Sequence, residues 1–188
     1  MRLNRFQISE IAIEPDKLRS ELENQVAGAY VSFEGWVRNH NEGAPVQALE
    51  YSAYKVLAEK EGNRIIAEAL DRFEIAGAEA IHRVGMLAIG DIAVWVGVGS
   101  AHRGPAFDGC RYIIDEIKDI DEAQALASEV EISFDETTSL DDLKKKLRKH
   151  YTDDMADATD VDAVGPAKVN ASTVYRPQNA KMRLMVNR

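Results

Sequence analysis

The chain has 188 residues, of which 45% are hydrophobic, so it can bury one substantial core with a small additional element. It carries 32 acidic and 23 basic residues and a formal net charge of −9, which disfavours a general electrostatic interaction with nucleic acid. Any cationic site is therefore expected to be local and suited to a small anion.

Cysteine content and hydropathy constrain the cellular location. The single cysteine, Cys110, excludes an internal disulfide and an all-cysteine metal site, and it fits a reducing cytosol. Residues 1–18 contain no sustained apolar region typical of a secretory signal. The longest apolar run, around Ile92–Val98, is too short to span a bilayer. We expect a soluble, cytoplasmic, globular protein without membrane contact.

Up to about residue 118, predicted strands and helices alternate. Alternating apolar and polar residues predict strands over residues 6–13, 29–38, 47–54, 78–84 and 92–99. Apolar residues at helical spacing predict helices over residues 15–26, 55–73 and 105–118. Pro15 suits the first turn of the first helix, whereas Gly62 is expected to weaken the second. Because no phosphate-binding glycine motif accompanies the alternation, an α+β sandwich is favoured over a doubly wound nucleotide-binding fold.

The character of the chain changes after about residue 120. We therefore predict one domain over residues 1–120 and a divergent C-terminal region over residues 121–188. In that region the sequence predicts a weak helix over 119–129, a short strand over 130–134, a helix over about 139–151, an acidic linker over about 152–168 and an edge strand over 181–188. The helix after Ser139 has the best support, since Ser139 and Asp142 resemble a capping box.

The sharpest local pattern is a basic pair at a junction between a strand and a helix. His102 and Arg103 follow the apolar residues 92–99 and precede a helix with Pro105 in its first turn. A helix N-terminus presents unpaired N–H groups and a partial positive charge, and arginine binds phosphate through two parallel hydrogen bonds. This pattern predicts an anion site. A surface arginine beside a histidine that closes a loop fits the same residues equally well.

Two other cations are candidates for the same site. Arg38 stands at the end of a predicted strand, where a solvated arginine is the more common interpretation. Lys118 closes the predicted helix, where a lysine ordinarily complements the helix dipole. Cys110 falls on the apolar stripe of that helix, which indicates a core residue rather than a nucleophile. The four histidines lack H-x-x-x-H or similar spacing, so neither a metal site nor a cofactor is predicted.

Several segments, in order, resemble the large, catalytic subunit of molybdopterin synthase. They are FEGWVRNHNEG, LEYSAYKVLAEK, IHRVGMLAIGD and VWVGVGSAHRGPAF, followed by YIIDEIK. Each segment is weak evidence alone, but the ordered set is specific and covers about half the chain, from about residue 28 to 118. The resemblance implies an α/β hammerhead-type sandwich with a mostly antiparallel sheet, plus the divergent C-terminal extension.

The resemblance also implies an activity, a substrate and partners. The family transfers sulfur to a cyclic pyranopterin monophosphate, taking it from the thiocarboxylate of a small ubiquitin-like subunit to form the molybdopterin dithiolene. By their positions in the motifs, Arg38, His102 and Arg103 would bind this substrate and Lys118 would be catalytic. The amine of Lys118 would act as an acid or base, or steer the thiocarboxylate. The family's dimer of large subunits, each with a small subunit, predicts a homodimer here.

Helix length bears on how such a site is built. From Arg103 to Lys118 is roughly 20 Å at 1.5 Å per residue, so the two residues cannot easily contact one small substrate. We therefore expect a pocket across a two-fold dimer, with Lys118 of one subunit facing His102 and Arg103 of the other.

One departure from the family pattern bears on activity. The resemblance implies a second functional lysine seven residues after Lys118, where this chain has Ala125. Loss of an ammonium from an anion site predicts weaker substrate binding, and Lys144, Lys145 or Lys146 would replace it only if their helix folds back. The alternative function is thus a non-catalytic relative that serves as a pterin- or anion-binding or regulatory subunit.

Overall fold

Each strand and helix predicted within the first 100 residues is present, with ends that differ by up to four residues from the prediction. The computed structural model describes residues 5–41, 44–129, 131–135, 137–157 and 183–184. In chain order the elements are β1 (Arg5–Ser9), α1 (Pro15–Leu22), β2 (Ala29–Trp36), β3 (His40–Asn41), β4 (Ala44–Pro45), β5 (Ala48–Tyr51), α2 (Lys55–Arg72), β6 (Ile75–Arg83), β7 (Gly85–Ala88), β8 (Ile92–Ser100), α3 (Arg103–Glu129), α4 (Leu140–Asp157) and β9 (Arg183–Leu184).

The central element is a four-stranded sheet in the order β1–β6–β8–β2. β1 pairs with β6 in parallel, whereas β6 with β8 and β8 with β2 are antiparallel. Val96 of β8 sits between Ala80 of β6 and Phe33 of β2. The predicted α+β class with a mostly antiparallel sheet is confirmed. β2 lies at one edge of this sheet, which matters for the site.

Helices cover both faces of the sheet. On one face, α2 and α3 bury small and β-branched side chains, including Ala80 and Val96, in the main core. On the other face, Leu18 of α1 packs against Ile81 and the fully buried Trp95. Successive side chains of β6 and β8 point to opposite faces of the sheet, and a helix covers each face. Side chains on both faces of these strands are therefore buried.

Gly62 has a packing role that the sequence does not reveal. It lies inside α2, and a Cβ added there would overlap the Phe6 ring of β1. The residue expected to weaken the helix therefore permits its close approach to the sheet.

Two small sheets accompany the central sheet among the described residues. β3 and β4 form a short hairpin between the strands predicted over 29–38 and 47–54, where the sequence predicted no strand. β5 pairs with β7 and with β9, so the segment linking β6 and β8 contains a strand that periodicity missed. β9 confirms a short strand within residues 181–188.

The C-terminal region differs from the prediction in three respects. α3 continues without a break from Arg103 to Glu129, so the predicted weak helix is its second half and the predicted boundary at residue 120 falls inside it. Residues 131–135 are not a strand, which corrects the strand predicted over 130–134. Residues 152–157 belong to α4 rather than to a linker, and residues 158–168 lie outside the described residues.

α4 packs against α3 and joins the main core. Leu140, Leu143 and Leu147 are 2%, 0% and 5% exposed and form one apolar stripe of the helix. The Ser139 hydroxyl donates to Asp142 Oδ2 at 2.8 Å and accepts from the Asp142 amide at 3.0 Å, which confirms the predicted cap. Up to α4, the described part of the extension therefore shares the core of the first 120 residues.

Candidate functional site

His102 and Arg103 stand at the beginning of α3, directly after β8. The Ser100 hydroxyl donates to the Glu74 carbonyl oxygen at 2.7 Å and accepts from the His102 amide at 3.4 Å, which fixes the turn between strand and helix. Both side chains are exposed. The first turn of α3 contains no acidic residue, so its partial positive charge is not neutralised locally. The arrangement is suited to an anion such as phosphate.

Arg38 lies at the opposite end of the edge strand β2. The buried Val37 anchors the backbone there, since its amide donates to the Asp91 carbonyl at 3.0 Å and its carbonyl accepts from the Gly90 amide at 2.8 Å. The exposed Arg38 guanidinium donates to Asn41 Oδ1 at 2.9 Å. Asn41 thus orients Arg38, a contact that the polar loop composition alone did not single out.

Lys118 lies on α3 above the same edge strand. Its side chain is exposed, and its Nζ is 6.0 Å from the centre of the Phe33 ring of β2. Ile117, the preceding residue, is 1% exposed and anchors the helix in the core. Phe33 was assigned to a strand but not to the site, because its proximity to Lys118 depends on how α3 crosses β2.

The four predicted residues do not meet within one chain. Ala29 at the start of β2 pairs with Ser100, close to His102, whereas Arg38 follows the other end of that eight-residue strand. Lys118 is fifteen residues after Arg103 on a continuous helix, roughly 22 Å away at 1.5 Å per residue. The fold places Lys118 over Phe33, near the middle of β2, with His102 and Arg103 beyond one end of the strand and Arg38 beyond the other.

One flank of α3 lies beside β2, which is an edge strand in the part of the chain that the structure describes. Phe107, Arg111, Ile114 and Lys118 recur at intervals of four, three and four residues, which places them along one line of the helix. Phe107 is 60% exposed, unusual for so large an apolar side chain, whereas Ile114 is 6% exposed. The flank therefore combines an exposed aromatic ring with the candidate catalytic lysine.

Polar contacts hold the second half of α3. Gln124 Oε1 accepts from the Tyr54 amide at 2.9 Å, and Asp119 Oδ2 pairs with Lys144 Nζ of α4 at 2.8 Å. Asp121 pairs with His82 of β6. The helix that carries Lys144 does fold back onto α3, but the Lys144 ammonium forms an ion pair with Asp119. Ala125 lies two turns after Lys118 on this helix.

Cys110 is a core residue, in agreement with its place on the apolar stripe. It is 4% exposed, and burial raises the pKa of its thiol to about 11. The thiolate is therefore scarce at neutral pH, which argues against a nucleophilic role.

Three observations delimit the site further. A groove of about 600 Å³ between α1 and the start of β2, lined by residues such as Arg19, Tyr30 and Gly99, contains none of the four predicted residues. Within the described ranges there is no cluster of three or more His, Cys, Asp or Glu residues arranged to hold a metal ion. In the same part of the chain, no helix combines the length and apolar character needed to cross a membrane.

Comparison with known sequences decides the family. The profile described as MoaE protein matches residues 8–120, more than half of the chain and all four candidate residues. The chain belongs to the MoaE family. A molybdopterin synthase catalytic subunit from Thermoplasma volcanium is 43% identical over 113 residues, covering 60% of this chain and 82% of that protein. One from Yersinia pestis is 48% identical over 91 residues, covering 48% of this chain and 60% of that protein.

Solved structures give the same family. Molybdopterin synthase from Staphylococcus aureus matches with a TM-score of 0.57 and 35% identity, covering 64% of this chain and 86% of that chain. The MoaE protein from Burkholderia ambifaria matches with a TM-score of 0.57 and 30% identity, covering 62% of this chain and 77% of that chain. The predicted family and fold are confirmed, and the MoaE matches support a catalytic subunit over a non-catalytic relative.

Proposed function

We propose that this chain is the sulfur-transferring subunit of a molybdopterin synthase. It takes two sulfur atoms, one from each of two small-subunit thiocarboxylates, which are left as carboxylates, and adds both to cyclic pyranopterin monophosphate, forming the molybdopterin dithiolene. The observation that carries the proposal is that Arg38, His102, Arg103 and Lys118 all lie within the residues matched to the MoaE family. The match spans 82% of the Thermoplasma volcanium subunit but 60% of the Yersinia pestis subunit. The proposal therefore rests on the domain that these proteins share, residues 8–120 of this chain.

Each proposed role follows from the local chemistry. His102, Arg103 and the N-terminus of α3 supply N–H donors and positive charge for the substrate phosphate. Arg38 provides a second cation, held by Asn41 at 2.9 Å. Lys118 is the proposed catalytic residue, because its exposed ammonium lies over Phe33 without a carboxylate partner among the described ion pairs. It protonates or deprotonates the reacting pterin, or guides the thiocarboxylate.

A second copy of the chain completes the site. Among the described residues β2 is an edge strand of the four-stranded sheet, and the outward N–H and C=O groups of an edge strand can pair with another strand. Antiparallel pairing of β2 with its counterpart across a two-fold axis places the start of one strand beside the end of the other. His102 and Arg103 of one subunit then approach Arg38 and Lys118 of its partner.

The flank of α3 supports the same arrangement. Two α3 helices side by side and antiparallel across the two-fold axis bring Lys118 near the first turn of the other helix. Phe107, 60% exposed in the single chain, is then covered. Strand pairing and helix packing thus require the same symmetry axis and produce two equivalent sites.

The proposed partner is a small ubiquitin-like sulfur carrier. A structure from Helicobacter pylori, described as a complex of subunits 1 and 2 of molybdopterin-converting factor, shares the fold of this chain with a TM-score of 0.52 at 20% identity. We propose the corresponding partnership here, in the cytoplasm, where the pterin substrate and the free Cys110 thiol are both compatible with a reducing environment.

Product formation tests the proposed activity. The purified chain is incubated with a thiocarboxylated small subunit and cyclic pyranopterin monophosphate, and dithiolene product is measured. Lys118→Ala should reduce the rate at least about a hundredfold, whereas Lys149→Ala, which removes an exposed lysine from α4, should not change it. No product from the unmodified chain, despite measurable pterin binding, would instead support the non-catalytic relative, the function that Ala125 favours.

Subunit mixing tests the composite site separately. Lys118→Ala and Arg103→Ala should each be inactive as homodimers. After subunit exchange in equal amounts, heterodimers contain one site with both native residues, and about a quarter of the native activity should return. If both residues serve one site within a single chain, mixing restores nothing.

A further inference from the structure

His82 and Asp121 form a buried polar pair that the proposed chemistry does not use. His82, at the end of β6, is 3% exposed, and its Nε2 lies 3.3 Å from Asp121 Oδ2 of α3. Its Nδ1 lies 3.1 Å from the carbonyl oxygen of Arg83. The Tyr51 ring of β5 lies against the imidazole, tilted by 38°, with a centroid distance of 4.2 Å. The pair therefore ties the second half of α3 to the central sheet.

The two atoms that face the ring nitrogens of His82 are both oxygens. A carbonyl oxygen only accepts hydrogen bonds, and so does an ionised carboxylate. Both ring nitrogens of His82 can donate only when the imidazole carries two protons. The neighbouring Arg83 does not compete for Asp121, because its guanidinium donates to Asp91 Oδ2 at 3.0 Å. An imidazolium would satisfy both oxygens at once, whereas a neutral ring has a proton for only one of them.

Stability alone does not account for such a pair. A buried ion pair commonly contributes no more than apolar side chains of similar volume. α3 already has apolar anchors at this level, since Ile117 and Ile120 are each 1% exposed. Apolar contacts are non-directional, whereas a charged hydrogen bond restricts both the rotation of a helix and its shift along its axis. Asp121 follows Lys118 by three residues, just under one helical turn.

We propose that His82 and Asp121 are positioning residues for Lys118. The charged pair holds α3 in the rotation that keeps Lys118 over Phe33, next to the edge strand β2. Both residues act through the helix rather than on the substrate, since His82 is buried beneath it. The inference rests on the proposed function only in that Lys118 is the group being positioned for sulfur transfer.

The test compares two carboxylate-to-amide variants that bracket Lys118. Asp121→Asn removes the charge that faces His82. Asp115→Asn removes an exposed charge three residues before Lys118 and serves as the matched control. Nitrogen-15 NMR of the imidazole, assigned by the signal lost in His82→Gln, should show two protonated ring nitrogens in the unmodified chain and in Asp115→Asn. In Asp121→Asn, His82 should become neutral with its proton on Nδ1.

Helix position and kinetics complete the test. Amide hydrogen exchange at residues 117–120 should accelerate roughly tenfold in Asp121→Asn alone. In the product assay, Asp121→Asn should lower kcat roughly tenfold while the KM for the pterin changes less than about twofold. A general loss of structure would change KM as well and would accelerate exchange throughout the sheet.

Two results would overturn the inference. The first is a neutral His82 imidazole in the unmodified chain. The second is a rate of amide hydrogen exchange and a kcat in Asp121→Asn that both equal those of Asp115→Asn. Failure of the proposed function gives a different result, namely no product from the unmodified chain. In that case the imidazole signals and the exchange rates decide on their own whether the pair is charged and fixes the helix around Lys118.

Discussion

Lys118 Nζ lies 6.0 Å from the centre of the Phe33 ring, so the candidate catalytic ammonium is held against an aromatic face of the edge strand. The negative face of an aromatic ring attracts a cation, by about 0.5–1 kcal/mol at an exposed position. This contact joins α3 to β2 at the point where the proposed partner subunit approaches. It is also the contact most easily changed without altering any charged residue.

Removing the Phe33 ring should weaken the placement of Lys118. We expect Phe33→Leu to lower kcat roughly two- to fivefold, corresponding to the lost cation–π attraction, because the ammonium samples more positions. Phe33→Tyr keeps the aromatic face and should retain most of the activity. Steady-state kinetics of dithiolene formation provide the measurement. Equal rates for both variants would show that the ring does not position Lys118.

A charge at Phe107 should separate the proposed dimer. The native chain is expected to sediment at twice its 20.9 kDa mass. Phe107→Glu places two like charges close to the two-fold axis, and burying unpaired charges is costly. We therefore expect a monomer and a loss of product formation of at least about tenfold. Val56→Glu changes another exposed apolar residue, 49% exposed on α2, and should remain dimeric. Sedimentation velocity distinguishes the outcomes.

The leucines of α4 should contribute to the stability of the whole chain. Leu143 is completely buried in the main core, so Leu143→Ala should reduce the free energy of unfolding by about 2–5 kcal/mol. The control is Lys145→Ala on the exposed side of α4, with an expected effect below about 0.5 kcal/mol. Urea unfolding should show one cooperative transition for both. A separate transition for α4 would contradict its inclusion in the core.

Glu79 should make stability decrease as the pH rises. Its side chain is fully buried, and burial raises the pKa of this carboxyl although the Arg5 guanidinium, at 2.8 Å, opposes the shift. Because the folded state retains the proton to higher pH than the unfolded chain, stability is lost as the pH rises from the ordinary glutamate range through the raised pKa. Glu79→Gln resembles the protonated form, so it should gain stability relative to the native chain as the pH rises.

Urea unfolding at pH 4.5 and at pH 7 measures this difference. Glu21→Gln serves as the control, because Glu21 is the other carboxylate beside Arg5, at 3.8 Å, and is more exposed. A stability difference between Glu79→Gln and the native chain that is the same at both pH values would rule out the proposed proton linkage.

Local patterns predicted much of the fold, because side-chain periodicity reflects which face of an element is buried. The strand at Val31 and Phe33, the helix after Pro15 and the cap at Ser139 all follow from short-range geometry. β7 was missed because it is four residues long and buries one side chain, which is too short a pattern to show the alternation that predicts a strand. The strand predicted over 130–134 was wrong because its apolar residues, Ile132 and Phe134, pack against the core without pairing.

By itself, the sequence determined the family, the α+β class and the identity of Arg38, His102, Arg103 and Lys118 as candidate residues. Those features depend on residue types in a fixed order. Only the tertiary structure decided that Arg38 and His102 lie at opposite ends of β2, that Phe33 lies beneath Lys118, and that Asp121 meets His82 across 39 positions of sequence. Such contacts depend on sheet order and on the path of α3, which arise from packing of the whole core.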